Sequence, residues 1–206
     1  YVVEKDKRLT VLLEKKFGKK INIINKDILN CYNDFNFDLP IKVFGNLPYN
    51  ISTKILTSFI KVKNLNKIFK KFIFVFQKEV ADRILAEKGT KNYGRLSILT
   101  SWKMDKNKIC DIDPNLFFPK PKVWSTLLKL TPKMKIENIK NANNLEHITR
   151  IFFNQRRKMI RKPIKQLFKD YEEVAKSLEI DLNLRPQNIS NNKYFEICKI
   201  YETLKQ

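Results

Sequence analysis

Histidine is almost missing from this chain. His147 is the only one in 206 residues, and the three cysteines, Cys31, Cys110 and Cys198, stand far apart. They form neither a CxxC pair nor a zinc-ligand spacing, and His147 has no metal partners nearby in the sequence, so no metal centre is expected. Free thiols in a reducing cytosol are the simple reading of the cysteines. No apolar run approaches the roughly 20 residues of a membrane-spanning helix, and no signal peptide is visible. Acidic residues are scarce too: 21 Asp and Glu face 42 Lys and Arg, a net charge of +21. Such a balance describes partners and not fold, and it points to nucleic acid, an anionic membrane or a ribosomal setting. Lys, Asn and Ile also have A/T-rich codons, so the placement of the charge carries more weight than its total.

What is present is enough apolar sequence for a core, 43% of the residues. "YVVE" (Tyr1 to Glu4), "INIIN" (Ile21 to Asn25), "IKVFGN" (Ile41 to Asn46) and "KFIFVFQ" (Lys71 to Gln77) read as strands. "KICDID" and "VWSTLLKLTP" read as the last two. Between them, "KDKRLTVLLEKKF", "STKILTSFI", "KEVADRILA" and "GRLSILTSWK" carry helical stripes, with Ser52 or Thr53 as a cap for the second. Alternating strands and helices predict an α/β layer with a mostly parallel sheet, covered on both faces. After Pro132 the polar stretch "KMKIENIKNANN" reads as a linker. From there the pattern is helical, including one run, "LEHITRIFFNQRRKMIRKPIKQLF". The expected organisation is an α/β domain over 1–132 and a small helical domain over 133–206. Residue 1 is Tyr, inside what reads as a strand, so the chain is expected to lack its true N-terminus.

In open α/β sheets, ligands bind beyond the carboxyl ends of the strands. Glu4, Asp27 and Asn46 all fall at such ends. Each alone is more often a turn or a cap. Together they offer acceptors for ribose hydroxyls and for an adenine amine, the needs of an adenosine-containing cofactor. "NLPY" (Asn46, Leu47, Pro48, Tyr49) is sharper. An adenine amine is a poor nucleophile because its lone pair is delocalised into the ring. An Asn oxygen and a neighbouring carbonyl can accept both N–H bonds and favour a more nucleophilic geometry. Pro48 fixes the backbone, and Tyr49 offers a ring for stacking. A plain Pro-containing turn is an equal reading of the tetrapeptide alone. "FFPKPKVWS" (Phe117 to Ser125) shifts the balance, since a second aromatic, Phe117 or Phe118, could flank an extruded base. "RIFFNQRRKMIRK" places Arg150, Arg156, Arg157, Lys158, Arg161 and Lys162 close together, with Ile151, Phe152, Met159 and Ile160 as an apolar face. Clustered cations without acidic partners repel unless phosphates offset them. Lys88, Lys91 and Arg95, around "KGTKNYGRLS", are a second candidate phosphate contact.

"VFGNLPYNIST", "QKEVADRILAEKGTKNYGRLS", "FFPKPKVWS", "FNQRRKMIRK" and "LRPQNISNNKYFEI", in that order, resemble the bacterial small-subunit ribosomal RNA adenine dimethyltransferases, the KsgA/RsmA type. The resemblance covers essentially the whole chain. It implies a class I, Rossmann-like methyltransferase domain that uses S-adenosylmethionine, followed by a small α-helical domain. The implied reaction is dimethylation of two adjacent adenosines in the 3′-terminal hairpin loop of small-subunit rRNA, by a cytoplasmic monomer acting on an assembling small ribosomal subunit. By position, Glu4 would hold the cofactor ribose and Asp27 its adenine, with Ile28 packed beside it. Asn46 and the Leu47 carbonyl would hold the target amine, Tyr49 would stack on the base, and Phe117 would flank the donor. The sequence departs from the family in three ways. The glycine-rich loop, the strand before it and the basic segment before that are absent, so a gapped sheet and an inactive fragment are expected. In the family that strand lies between those holding Glu4 and Asn46. Trp124 stands where the family usually has a smaller or polar residue. A non-catalytic assembly factor and a DNA adenine methyltransferase are the rival readings. The intact "NLPY" argues against the first, and the two downstream motifs against the second.

Overall fold

The computed structural model describes residues 1–31, without the Cys31 side chain, and residues 40–204. Strand β1 (Val2–Val3) leads into α1 (Lys7–Phe17), and β2 (Ile23–Ile24) into the short α2 (Ile28–Cys31). Asp6 starts α1 by accepting the Arg8 N–H, and Gly18 ends it in the left-handed region, φ 52°. Next come β3 (Ile41–Asn46), α3 (Ser52–Lys61), α4 (Leu65–Ile68), β4 (Phe69–Gln77), α5 (Lys78–Leu85), α6 (Arg95–Lys103), β5 (Met104–Ile112) and β6 (Ser125–Pro132). After them, among the described residues, come the helices α7 (Ala142–Asn154), α8 (Arg161–Leu167), α9 (Tyr171–Ser177) and α10 (Asn191–Leu204).

Among the described residues the strands form two sheets, a parallel β1–β2 pair and a four-stranded sheet in the order β3-β4-β6-β5. The discontinuity expected beside β3 is therefore observed. The larger sheet is mixed, parallel at β3–β4 and antiparallel at β4–β6 and β6–β5. Its one closed face explains the "FIFVF" run. Phe72, Phe74 and Phe76 are buried on one side of β4, together with Leu128 and Leu130 of β6. Phe59 of α3 packs edge-on to Phe69 at 5.3 Å and against Phe72 at 5.0 Å. Each such ring contributes about 1.5–3 kcal/mol by burial. The opposite face, with Phe44, Ile73, Val75 and Leu127, is only partly covered, and Phe44 is 70% exposed. The expectation of a sheet buried on both faces is not met among the described residues.

Helix α6 joins the sheet to the C-terminal helices. Every residue from Leu96 to Lys103 is buried, and the polar ones find partners inside the protein: Ser97 Oγ donates to the Arg83 carbonyl and Thr100 Oγ1 to the Leu96 carbonyl. One face meets α3, α5 and β5, and α7 and α10 cover another. The stretch expected to be a linker is instead packed. Trp102 Nε1 donates to the Glu137 carbonyl at 2.8 Å, Lys133 Nζ to the Ser101 carbonyl, and Ile139 is buried. Glu202 of α10 accepts from the backbone N–H groups of Lys140 and Asn141 and from Asn144 Nδ2, and so holds the start of α7. Burial alone would raise its pKa, but these donors pull it below the usual glutamate value.

Two local expectations are corrected. Ser52 does not cap α3: it is the first helical residue, and its hydroxyl donates back to the Tyr49 carbonyl at 3.1 Å. The single helix expected across 145–168 is two helices, α7 and α8, with a turn over 155–160. Pro163 sits in the first turn of α8, where its missing N–H does no harm. In a continuous helix its ring would meet the Met159 carbonyl. The turn is held by Ile160, which is buried and donates its N–H to the Leu184 carbonyl.

Candidate functional site

The strand ends are where the fold gathers polar chemistry. Asn46, Gln77, Ser125 and Ile112 lie at one end of the larger sheet, because β3 and β4 run toward it, β5 ends there and β6 starts there. Asn46 closes β3 and is exposed, followed by Leu47, Pro48 and Tyr49. Two hydrogen bonds fix the turn. The Tyr49 hydroxyl meets the buried Ser125 Oγ at 2.6 Å, across 76 residues of sequence, and Ser52 Oγ holds the Tyr49 carbonyl. Gly45 allows the turn to fold back. A Cβ there would lie 2.7 Å from Leu47 Cδ2 and 3.2 Å from the buried Phe74 ring. The side chain of residue 45 must be absent for Leu47 to lie where it does.

Glu4 and Asp27 follow the paired strands β1 and β2, since Glu4 N–H donates to the Ile24 carbonyl. Glu4 Oε1 accepts the Asp6 N–H at 2.8 Å. Asp27 accepts the Leu29 N–H on one oxygen and Lys5 Nζ at 3.1 Å on the other. Those two donors, the backbone one foremost, hold its carboxyl below the usual aspartate range. It is thus an ionised acceptor as well as the cap of α2. Ile28 and Leu29 pack onto the main core and seat this pair of strands against it. Lys54 of α3 is close enough to act on the Asp27 charge. Two carboxylates at adjacent strand ends suit hydroxyl and amine donors, so the donor set fits an adenosine group.

Phe117 is half-buried in the loop between β5 and β6, and its neighbour Phe118 is fully exposed. The base of that loop is braced by Asp111. Its carboxylate accepts from Lys108 Nζ at 2.7 Å, Thr126 Oγ1 at 2.7 Å and Lys78 Nζ at 3.3 Å. The Lys108 and Thr126 hydrogen bonds, in that order, keep it strongly acidic.

The two basic segments, distant in sequence, are neighbours in space. Arg156 donates to the carbonyls of Thr90 and Lys91 and to Gln187 Oε1, while Gly89 N–H donates to the Gln187 carbonyl. Arg156 is thereby a staple between the segments, with its guanidinium engaged by protein acceptors. Lys88, Lys91, Arg95, Arg150, Arg157, Lys158, Arg161 and Lys162 are exposed around it. Arg161 lies 3.9 Å from Glu172. Met159, expected on the apolar face, is 57% exposed, while Phe152 and Ile160 are buried. The lock that Ser125 and Ser52 place on the turn at Tyr49 was not found by sequence reasoning, which took Ser52 only as a helix cap. A hydroxyl beside an aromatic-rich loop carries no periodic signal. Cys110 and Cys198 are free thiols, and the Cys31 side chain lies outside the described residues.

Compared with known proteins, residues 1–204 match the family model described as ribosomal RNA adenine dimethylase. The chain belongs to the ribosomal RNA adenine dimethylase family. Among its relatives is the ribosomal RNA small subunit methyltransferase A of Pelagibacter ubique (strain HTCC1062). It is 53% identical over 205 residues, which cover 100% of this chain and 78% of that protein. The protein of the same name from Ehrlichia ruminantium (strain Gardel) is 41% identical over 199 residues, 95% of this chain and 75% of the relative. Of solved structures, a dimethyladenosine transferase from Plasmodium falciparum superposes with a TM-score of 0.76 at 22% identity, covering 98% of this chain and 81% of the other. The 23S rRNA methyltransferase ErmE does so with a TM-score of 0.64 at 21% identity, covering 99% and 81%. At those identities the two structures support the Rossmann-like methyltransferase fold alone. The family membership rests on the model and the relatives.

Proposed function

We propose that this adenine dimethylase acts on small-subunit ribosomal RNA. It dimethylates the exocyclic amines of two adjacent adenosines in the 3′-terminal hairpin loop during assembly of the subunit, with S-adenosylmethionine as donor. The reading is carried by the turn Asn46-Leu47-Pro48-Tyr49, locked at a strand end by Ser125 and Ser52. It takes support from the relatives named as small-subunit rRNA methyltransferases. In this reading residues 1–132 carry the chemistry and 133–206 the helical RNA-facing unit, although one continuous core joins them.

Glu4 and Asp27 would hold the cofactor, Glu4 at the ribose hydroxyls and Asp27 at the adenine, with Ile28 alongside. When bound, S-adenosylmethionine supplies an electrophilic methyl group on a sulfonium. Asn46 Oδ1 and the Leu47 carbonyl accept the two N–H bonds of the target amine. They draw its lone pair out of conjugation and aim it at the methyl carbon. Tyr49 keeps its ring in place through the Ser125 hydrogen bond and stacks on the base, and Phe117 closes the opposite side. After transfer the amine nitrogen carries positive charge, and its proton leaves to water without a strong side-chain base. This agrees with the lack of a histidine or a carboxylate pair at the turn among the described residues. For the second methylation one N–H remains, and either acceptor suffices to hold it.

The test is to incubate the full-length enzyme with S-adenosylmethionine and small subunits that lack the modification, then to digest the rRNA and analyse its nucleosides by mass spectrometry. N6,N6-dimethyladenosine at two adjacent positions near the 3′ end is expected. Modification of DNA only, or binding to the subunit by a folded, S-adenosylmethionine-binding preparation without any transfer, would overturn the reading.

A further inference from the structure

In the loop between β5 and β6 lies an open cleft of about 490 Å³. Its walls are Asp113, Asn115, Lys120, Pro121, Lys122 and Trp124. Trp124 is 48% exposed there, in contrast to Trp102, which is 3% exposed. The Trp124 backbone is fixed, because Lys78 N–H donates to its carbonyl at 2.9 Å. The next residue along the chain is Ser125, which holds the Tyr49 hydroxyl, so the cleft lies one residue along the chain from the candidate site. Asp113 turns its carboxylate to the Asn115 N–H at 2.7 Å, where it starts a short helical turn. The remaining charges on the wall are the two ammonium groups of Lys120 and Lys122.

An exposed indole beside two cations and an amide is the chemistry that receives a nucleotide. The base stacks on the aromatic face and the phosphate meets the lysines. The volume is within the range of small-ligand sites, roomy enough for one nucleotide. An ordered indole half in water also has no packing reason at a loop this well braced. We propose that this cleft binds the nucleotide adjoining the target adenosine in single-stranded RNA, with its base on Trp124 and its phosphate between Lys120 and Lys122. The proposal rests on the reading that the protein acts on RNA, and it adds a second base-binding position, beside the one at Tyr49, that fixes which adenosine is presented.

The contrast between the two tryptophans provides the assay. The chain is titrated with a single-stranded RNA hexamer of adenosine while tryptophan emission is recorded, and affinity is measured separately by anisotropy of a labelled hexamer. Emission should be quenched on binding, and a hexamer of abasic ribose phosphates should not quench it. Trp124→Ala should weaken the anisotropy-measured affinity at least about fivefold, the low end for loss of one stacked base, and Trp124→Phe should restore most of it. Anisotropy-detected RNA binding without quenching, equal quenching by the abasic strand, or unchanged affinity in Trp124→Ala would each overturn the cleft while leaving the RNA reading intact. Failure of the wild-type chain to bind either strand would overturn the RNA reading itself.

Discussion

Lys103 ends helix α6, buried from Leu96 onward, with its ammonium inside the protein. Its Nζ donates to the Val62 carbonyl at 2.9 Å and lies 4.4 Å from the centre of the Trp102 ring. Neither contact replaces water, and burial pulls its pKa down from 10.5 to about 8. At roughly 1.4 kcal/mol per unit, the charged amine costs the folded state about 3 kcal/mol. In the unfolded chain the amine keeps its proton up to about pH 10.5, whereas in the fold it releases it near 8. Between those values the unfolded state binds more protons, so stability rises with pH across the window. Below it both states are charged and the cost stands in full. Applying the two titration curves to pH 7.5 and pH 10 gives a gain of about 2 kcal/mol from this residue. The comparison is wild type against Lys103→Met, an uncharged side chain of similar length, by urea unfolding at both pH values. Lys106, whose pKa burial also lowers to about 8, is common to both proteins and cancels. Wild type should gain about 2 kcal/mol more than the variant on going to pH 10. Equal gains would refute the assignment of a buried, penalised charge to Lys103.

Gly45→Ala should cost about 1–3 kcal/mol, the usual price of overpacking, and should slow methyl transfer by displacing Leu47 while RNA affinity holds; an equally stable, equally active variant would contradict the close approach described for the turn. Neutralising Arg157, Lys158 and Lys162 together should flatten the slope of log affinity for rRNA against log salt by roughly two to three units, at about 0.7–0.9 per phosphate. Arg156→Ala should act differently, by loosening the segment around Lys88 and Lys91, and hydrogen exchange at residues 88–91 should rise; unchanged protection there would remove it as a staple.

The features most legible in the sequence were those made by contiguous residues. "GNLPY" could be placed at a strand end because an apolar run stops there, and the fold puts Asn46 at the end of β3. Glu4 and Asp27 could be placed by the same logic. A gapped sheet was expected, and the strands among the described residues fall into two separate sheets. Less legible were features set by distant partners. The helical stripe around Phe152 and Ile164 continues on either side of the 155–160 turn, so periodicity alone joins α7 to α8. What separates them is a hydrogen bond from Ile160 to Leu184 and the engagement of Arg156 by the loop at 90–91. Arg156 counted as one more cation in a basic run until its acceptors were known. "KMKIENIKNANN" is polar and reads as a linker, yet Trp102 and Glu202 fasten both its ends. The lock on Tyr49 spans 76 residues and leaves no local trace.

The central claim is that Asn46 holds the adenine amine for methyl transfer, and Asn46→Ala in the full-length protein tests it most directly. Asn46 is exposed, so the variant should fold as wild type does and bind rRNA with unchanged affinity. Its rate of N6,N6-dimethyladenosine formation, read by mass spectrometry under single-turnover conditions, should fall about 100-fold or more, the scale of losing one preorganised polar contact at a reacting group. Dimethylation at close to the wild-type rate would contradict the account.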